Sequence, residues 1–287
     1  MVPMTPQTAA GSRERFLNAN FKRRMIAAAV GIPVVLLAVY GGLPWVSAVA
    51  LIAAAAASLE LARMAGESGP RRYVIAFPAL ALTAAGVSVA GMGSDSSAAN
   101  APAIFAGAAA ALGIASAVTS HSRPGGKSYI VAWAAVYFGA LLAHAPALAA
   151  HENGRAWLLI AILGTFAVDS AAYFTGRAIG RRRLAPKISP KKTWEGAAGG
   201  LVAGPAAVMT LNALIGPGLP AWQAAAIGLA VAVAATGGDL VESALKRAVG
   251  VKDAGAVIPG HGGILDRIDS LAPAMATVYW LAVWSAK

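Results

Sequence analysis

Nine apolar runs, most of them about as long as a helix that crosses a bilayer, dominate this 287-residue sequence. A transmembrane helix needs about 20 mostly apolar residues. Charged residues make up only 12% of the chain, against about 25% in soluble domains, and so few charges cannot cover a water-exposed surface. We therefore expect an all-α integral membrane protein, a polytopic bundle of about nine transmembrane helices. The predicted spans are Met25–Tyr40, Pro44–Met64, Tyr73–Met92, Ala101–Thr119, Tyr129–Ala150, Ala156–Gly176, Trp194–Ile215, Ala221–Leu245 and Leu271–Ser285.

The basic residues predict how these spans are oriented. Of the 23 Lys and Arg residues, 21 precede the first span or lie in loops that follow even-numbered spans, and only Arg155 and Lys287 lie on the other side. Because cytoplasmic loops collect Lys and Arg, we expect a cytoplasmic N-terminus and a C-terminus outside. The first apolar run is interpreted as a start-transfer helix and not a signal peptide, because eight further runs follow it.

The net charge of +11 needs a second explanation besides topology. The basic residues of the chain form clusters between apolar runs and do not lie along one solvent-exposed face. We therefore expect them to bind phosphate groups, and we expect no nucleic-acid partner. The chain divides into a polar tail (1–24), a scaffold of five spans (25–150) and a catalytic part of four spans (156–287). The catalytic part carries two cytoplasmic loops, 177–193 and 246–270.

Two ionisable residues interrupt the scaffold. Glu60 lies near the cytoplasmic end of its span, and we expect it to reach the interface or to pair with Arg63. His144 is interpreted as a hydrogen-bonded interior histidine and not as a metal ligand.

Carboxylates gather at the cytoplasmic ends of the catalytic spans. Ionisable groups at membrane depth are costly, so they mark functional sites by default. Carboxylates without cysteine, and with only four histidines in the chain, suit Mg²⁺ better than zinc. The alternative is that each acid pairs with a neighbouring base. The acids are Asp169, Asp239, Glu242, Asp266 and Asp269.

The first cytoplasmic loop of the catalytic part has the residues of an anion site. Pro186 and Pro190 oppose helix formation there, and Thr193 is a plausible N-cap for the next span. Lysines beside a helix N-terminus favour a phosphate, although a loop that only sets topology would also be basic. The residues predicted to bind substrate phosphate are Lys187, Ser189, Lys191, Lys192 and Thr193.

The second loop carries a family signature. Residues Ser243 to Asp269 contain Lys-Arg, then Lys-Asp, then His261-Gly-Gly and Asp-Arg-Ile-Asp. This pattern resembles the integral-membrane phosphatidate cytidylyltransferases, also called CDP-diacylglycerol synthases. The runs Lys187–Gly196 and Asp169–Phe174 are similar to the same family, with Ser170 where threonine is more usual. The resemblance is clear over residues 156–287, and only hydropathy agrees before residue 150.

The resemblance implies a reaction: CTP and phosphatidic acid give CDP-diacylglycerol and pyrophosphate for phospholipid synthesis, on the cytoplasmic side of a bacterial inner membrane. It implies Mg²⁺, paired with a second ion that can be monovalent, held by Asp239 and Asp266. The nucleophile would be the lipid phosphate itself, so no general base is needed, and catalysis would consist of positioning and charge neutralisation.

The remaining signature residues take roles from the same resemblance. Asp253 and Asp269 would support the metal or its water ligands. Lys252 is placed in the catalytic set, where it would bind the triphosphate or the departing pyrophosphate with Lys246 and Arg247. His261 would donate to a phosphate oxygen. Ser243 and Arg267 are assigned to substrate binding.

Other functions fit less well. An ion-coupled transporter would place its acids near the midplane within internal repeats, and no repeat is visible here. A CTP-dependent polyprenol or phytol kinase is disfavoured by the intact signature, and a CDP-alcohol phosphotransferase by the absence of its own motif. Gly196, Gly200 and Gly204 form one small-residue face. Internal packing is the preferred use of this face, although the resemblance favours a homodimer.

Overall fold

A computed structural model of the chain describes residues 29–67, 71–91, 108–109, 113, 126–255 and 262–285. The predicted N-terminal tail, most of the fourth predicted span, the start of the first one and His261 lie outside these residues. The described chain is mostly helical. Its first six helices are α1 (Ala29–Gly41), α2 (Leu43–Met64), α3 (Arg71–Gly91), α4 (Lys127–Leu142), α5 (His144–Ala150) and α6 (Gly154–Ile179).

A β-hairpin interrupts the helices after α6. Its strands are β1 (Arg183–Ala185) and β2 (Ser189–Thr193), which pair antiparallel. The helices then continue as α7 (Trp194–Ile215), α8 (Ala221–Ala248), the short α9 (Leu265–Ile268) and α10 (Leu271–Ser285). The prediction of an all-α chain therefore misses one small sheet, which occupies the loop where Pro186 and Pro190 were expected to oppose helix formation.

Five helical segments of the described chain are long and apolar enough to cross a membrane: α2, the pair α4 and α5 taken together, α6, α7 and α8. The limits predicted for α7 and α10 coincide with those of the structure. The predicted span Tyr129–Ala150 is two helices, with a break at Ala143 between α4 and α5. The count of nine spans stays a prediction.

Glycines with positive φ end two of the helices that lead to the site. α8 stops at Ala248, and Gly250 follows with φ +81°. The amide of Gly250 donates to the Arg247 carbonyl, and the amide of Val251 donates to the Lys246 carbonyl. These two bonds form a Schellman motif. The same arrangement around Gly66 ends α2.

Two large apolar cores lie in the bundle. One joins α5, α6, α10 and the first half of α8 around Leu148, Trp157 and Tyr279. The other joins α2, α4, the end of α8 and α9 around Leu61, Phe138 and Leu265. Helices of the scaffold and of the catalytic part thus pack in common cores, and α9 is held inside the second one.

The glycine face of α7 packs inside the molecule, as preferred from the sequence. A Cβ on Gly204 would overlap the carbonyl oxygen of Gly228 on α8, and one on Gly196 would lie 2.7 Å from the carbonyl oxygen of Ala172 on α6. Glycine at these points lets the backbones approach closely. The rest of α7 is peripheral, since only Gly196, Gly200, Gly204 and Val208 are buried in it.

The scaffold residue His144 is a satisfied interior histidine, as expected. Its Nδ1 lies 2.9 Å from the Ala140 carbonyl oxygen, and Trp280 Nε1 donates to its Nε2 over 3.1 Å. Because Trp280 belongs to α10, this hydrogen bond joins the scaffold to the last helix.

Candidate active site

A cleft of about 600 Å³ opens where α6, α8, α9 and the start of α7 meet the hairpin. Its acidic wall carries carboxylates brought by the helices and by Asp269 directly after α9, and its cationic wall carries bases of the hairpin together with Arg177 of α6. The acids that line it are Asp169, Asp239, Asp266 and Asp269, and the bases are Arg177, Arg183, Lys191 and Lys192.

Three carboxylates converge at the acidic wall, and two of them, Asp239 and Asp269, line the cleft. Single oxygen atoms of Asp239, Glu242 and Asp269 lie within 4.8 Å of one another. Glu242 is fully buried, and its Oε1 has no hydrogen-bond partner among the described residues. The Ser243 hydroxyl donates to Asp239 Oδ1 over 3.4 Å. The one-turn spacing of residues 239, 242 and 243 along α8 explains why they share a face.

Two lysines neutralise part of this acidic wall. Lys192 Nζ on β2 lies 2.7 Å from Asp239 Oδ2. Lys246 Nζ lies 2.6 Å from Glu242 Oε2 and 2.8 Å from Asp266 Oδ1. The alternative that each acid pairs with a neighbouring base is therefore correct for part of the cluster. Lys246 is such a neighbour of Glu242, whereas Lys192 comes from the hairpin, far from α8 in sequence.

The two aspartates around α9 have opposite electrostatic environments. Burial alone would raise the pKa of Asp266, but hydrogen bonds from Lys246 Nζ and the Gly263 amide hold that pKa below its usual value. Burial, together with the negative charge of Asp239, raises the pKa of Asp269 to about 7. Asp266 is thus a stable anion, whereas Asp269 exchanges its proton near neutral pH.

The hairpin is fixed to the N-terminus of α7 by local hydrogen bonds. Thr193 is the N-cap predicted from the sequence, and its Oγ1 accepts from the Gly196 amide at 3.1 Å. The Glu195 carboxylate accepts from the amides of Arg181 and Arg182 just before β1. These bonds hold β2 against the cleft and so place Lys191 and Lys192 on its wall.

The other predicted residues of the hairpin and of the end of α8 lie around the cleft and do not line it. Lys187 is exposed at the hairpin turn, and Ser189 is half-buried in β2. Arg247 donates to the carbonyls of Ile188 and Val251 over 3.3 and 3.1 Å. It therefore ties the hairpin to the chain that follows α8.

Three further predicted residues follow α8. Lys252 and Asp253 are exposed in the loop, and Arg267 is exposed on α9. None of the three is among the residues that line the described part of the cleft.

Two bases of the cleft and the surroundings of one acid differ from what the sequence predicts. Arg177 and Arg183 line the cleft but were counted only as topology signals. Arg177 lies eight residues after Asp169, which places both on one helix face, and this spacing could have found it. The expectation that Glu60 reaches the interface or pairs with Arg63 is wrong. Glu60 is fully buried and accepts hydrogen bonds from the amides of Ile264 and Leu265, and the described residues contain no ion pair between Glu60 and Arg63.

The donor set fits a hard divalent cation. Asp239, Glu242 and Asp269 offer converging oxygens, and a buried carboxylate oxygen without a donor is costly unless something binds it. Mg²⁺ prefers such oxygen ligands. The predicted pairing of Asp239 with Asp266 stays a prediction, since Asp266 lines the same cleft while its carboxylate contacts Lys246.

Comparison with known proteins gives one consistent family. The sequence profile of the cytidylyltransferase family matches residues 22–284. A phosphatidate cytidylyltransferase of Mycobacterium bovis is 37% identical over 158 residues, which are 54% of this chain and 49% of that protein. Proteins of the same name from Brucella suis and Haemophilus influenzae are each 45% identical, over 115 and 134 residues. These matches cover 40% and 43% of this chain and 42% and 44% of those proteins. The chain spans about half the length of the curated relatives it matches, or slightly less.

Proposed function

The chain belongs to the cytidylyltransferase family, and from this membership we propose that it transfers CMP from CTP to phosphatidic acid. The products are CDP-diacylglycerol and pyrophosphate, and the reaction serves phospholipid synthesis. One observation of the structure supports this proposal above the others: carboxylates of the helices, with the buried Glu242 beside them, and cations of the hairpin meet at a single cleft. Such a cleft suits a reaction in which both substrates and both products carry phosphate groups.

The bond changes need little acid–base chemistry from the protein. An oxygen of the lipid phosphate attacks the α-phosphorus of CTP, and the bond between the α- and β-phosphates breaks to release pyrophosphate. The lipid phosphate is already an anion at neutral pH, so no side chain has to remove a proton. The protein has to bring two anions together and to stabilise the charge on the transferring group.

The cationic wall can bring the two anionic substrates together. Arg183 and Lys191 line the cleft without an ion-pair partner among the residues described, and the Arg177 side chain donates a hydrogen bond to the Tyr173 hydroxyl. These cations are available for phosphate oxygens. A cleft of about 600 Å³ lies within the usual range for small-molecule sites, roughly 300–1,000 Å³.

The acidic wall would stabilise the charge on the transferring group by holding metal ions. We propose Asp239 and Asp266 as ligands of Mg²⁺ and of a second ion that can be monovalent, and the cluster adds Glu242 and Asp269 as further donors. Bound Mg²⁺ would neutralise charge on the phosphate oxygens. Among the chain's own residues, Lys246 keeps Glu242 and Asp266 close together, and Ser243 orients Asp239.

The same proposal includes the placement of the protein. We propose nine spans in a bacterial cytoplasmic membrane, with the N-terminus and the cleft on the cytoplasmic side and the C-terminus outside. The 21 bases on one side against two on the other support this orientation. No nucleic-acid partner is proposed. A homodimer stays a prediction, and any such interface would lie away from the glycine face of α7, which is packed internally.

The test is turnover of the purified full chain in detergent with radiolabelled CTP and phosphatidic acid, with and without Mg²⁺. Variants Asp239→Asn and Asp266→Asn should abolish turnover while the protein stays folded. Glu152→Gln, a change to an exposed acid outside the cleft, should keep it. Near-normal activity of both aspartate variants in Mg²⁺ would contradict the metal assignment. A labelled isoprenoid phosphate, formed from γ-labelled CTP without any CDP-diacylglycerol, would instead identify a lipid kinase.

A further inference from the structure

Glu60 is a fully buried carboxylate from the scaffold that the proposed reaction does not use. Its Oε1 accepts from the amide of Ile264, and its Oε2 accepts from the amide of Leu265, each over 2.9 Å. These partners lie 204 and 205 positions later in the chain. A bidentate carboxylate on two backbone amides is a strong, geometrically specific interaction.

The amides that Glu60 binds belong to the start of α9. α9 runs from Leu265 to Ile268, and the first amides of any helix have no partner inside it. Such amides are usually satisfied by a side chain just before the helix, but Ile264 cannot accept a hydrogen bond with its side chain. Glu60 of α2 takes this part from across the bundle, and it thereby fixes where α9 begins.

The loop around Glu60 is shaped to admit its carboxylate. A Cβ on Gly263 would overlap Glu60 Oε2, and a Cβ on Gly255 would lie 3.0 Å from Oε1. The glycines of the signature loop therefore allow close approach to an acid of another helix. This approach is a physical reason for glycine at position 263 that does not involve a ligand.

The same short segment carries two carboxylates of the cleft. Asp266 follows Leu265 directly, and its Oδ2 accepts from the Gly263 amide at 2.9 Å. Asp269 directly follows α9, and its Oδ1 accepts from the Ser270 amide at 2.7 Å. Leu265 is anchored in the apolar core that also contains Leu61, the neighbour of Glu60. Any shift at the start of α9 would therefore move both carboxylates relative to α8.

We propose that Glu60 is a positioning residue, which holds the turn and short helix from 262 to 269 so that Asp266 and Asp269 lie beside Asp239 at the acidic wall of the cleft. The inference rests on the proposed function only where it takes Asp266 and Asp269 as working residues. It gives the scaffold a direct part in building the site, beyond its packing.

The first test compares Glu60→Gln with Glu67→Gln in the full chain. Glutamine keeps the shape of Glu60 but can accept only one of the two amide hydrogen bonds well, because its NH₂ group faces the other donor. Glu67 is a matched control just after the same helix, where it accepts from the Ser128 hydroxyl. Amide hydrogen exchange of the peptide 262–270 should become roughly tenfold faster in Glu60→Gln, as the loss of a charged hydrogen bond predicts. It should stay unchanged in Glu67→Gln.

Activity supplies a second, separate readout. In Glu60→Gln the Mg²⁺ concentration that gives half-maximal turnover should rise roughly tenfold, with a smaller change in KM for CTP. A merely stabilising role would lower the midpoint of thermal unfolding and leave the Mg²⁺ requirement unchanged. Glu60→Asp restores the charge, but its side chain is one methylene shorter, so it should recover only part of the Mg²⁺ response.

A second variant keeps the test decisive if Glu60→Gln does not fold. Gly263→Ala keeps the Glu60 side chain, but its added methyl group would overlap the Glu60 carboxylate and push the loop away from it. This variant should therefore give the same faster exchange and the same higher Mg²⁺ requirement. Unchanged exchange at 262–270, or faster exchange with an unchanged Mg²⁺ requirement, would overturn the proposal. If the wild-type protein makes no CDP-diacylglycerol, the proposed function fails, and the exchange data still decide whether Glu60 holds α9.

Discussion

Lys246 shows how single residues set the charge of this cleft. Its ammonium group lies between Glu242 and Asp266, so it prevents two neighbouring anions from repelling each other. Asp269 has no lysine at salt-bridge distance in the described structure; its carboxylate accepts from the Ser270 amide, and the charge of Asp239 helps to raise its pKa. The three acids therefore respond differently to protons and to cations, although all of them are carboxylates a few ångströms apart.

Asp269 predicts a pH dependence of metal binding. Its pKa is raised to about 7, so the carboxyl group is mostly neutral at pH 6 and mostly ionised at pH 8. A proton and a cation compete for a ligand, so the apparent dissociation constant for Mg²⁺ should be about tenfold higher at pH 6 than at pH 8. Calorimetric titration of the nucleotide-free protein measures it. Asp269→Asn should bind Mg²⁺ more weakly at both pH values and lose the dependence. An equal constant for the wild-type protein at both pH values would count against the raised pKa.

Lys192 predicts a split between the two substrates. It projects from β2 onto one wall of the cleft and contacts Asp239, so it should bind a phosphate of only one substrate. Lys192→Ala should raise KM for CTP or for phosphatidic acid by roughly tenfold and leave the other within about twofold. Lys192→Arg keeps the charge and should behave closer to the wild type. Equal and negligible effects on both constants would return this lysine to a topological role.

At the scale of elements, close backbone contacts decide how the helices place the site. A Cβ on Gly238 of α8 would overlap the carbonyl oxygen of Asp269, whereas a Cβ on the neighbouring Gly237 would meet nothing within 4 Å. α8 therefore touches the end of the α9 turn through a glycine. The positions of Asp266 and Asp269 therefore depend on this contact as well as on Glu60.

These neighbouring glycines provide a matched pair of variants. Gly238→Ala should cost about 1–3 kcal/mol of stability through overpacking and reduce turnover, since the added methyl group displaces the backbone at Asp269. Gly237→Ala should be neutral or slightly stabilising, because alanine favours the helix and has room. The free energy of unfolding and turnover of both variants check this. A Gly238→Ala variant as active and as stable as Gly237→Ala would contradict the contact.

The sequence predicted the elements well wherever the signal was local. The limits of α7 and α10 follow from apolar runs bounded by polar residues or, after Ile215, by Gly-Pro-Gly, and the Thr193 cap follows from its position before such a run. The hairpin was missed because Pro, Lys and Ser are poor strand formers, and its pairing is stabilised by Glu195 and Arg247. The role of Glu60 was missed because its partners lie 204 and 205 positions away in the sequence.

At the scale of the whole molecule, the scaffold and the catalytic part share their cores. α10 contacts α5 and α6, and α9 contacts α2. The site therefore depends on both parts, although the sequence signature covers only the second. The sides of the membrane on which the loops lie are a further property of the whole molecule, and the proposed orientation places the hairpin and the turn between α5 and α6 on opposite sides.

Cysteine labelling can check this orientation, because the chain contains no cysteine. Lys187→Cys places a thiol at the exposed hairpin turn, and Glu152→Cys places one between α5 and α6. A membrane-impermeant maleimide should label the second variant in spheroplasts, and the first only after the membrane is permeabilised. Labelling of both variants from the same side would contradict the orientation.

The two faces of α7 should record evolutionary divergence differently. The buried face holds Gly196, Gly200 and Gly204 against neighbouring backbones, while Val202 and Leu214 point outward. As lineages drift apart, the outward side can exchange one aliphatic residue for another with little effect, because lipid tails accept any of these shapes. The inward side has room for almost no added atom, so its history should be one of retention. The outward face of α7 should therefore accumulate substitutions faster than its inward face.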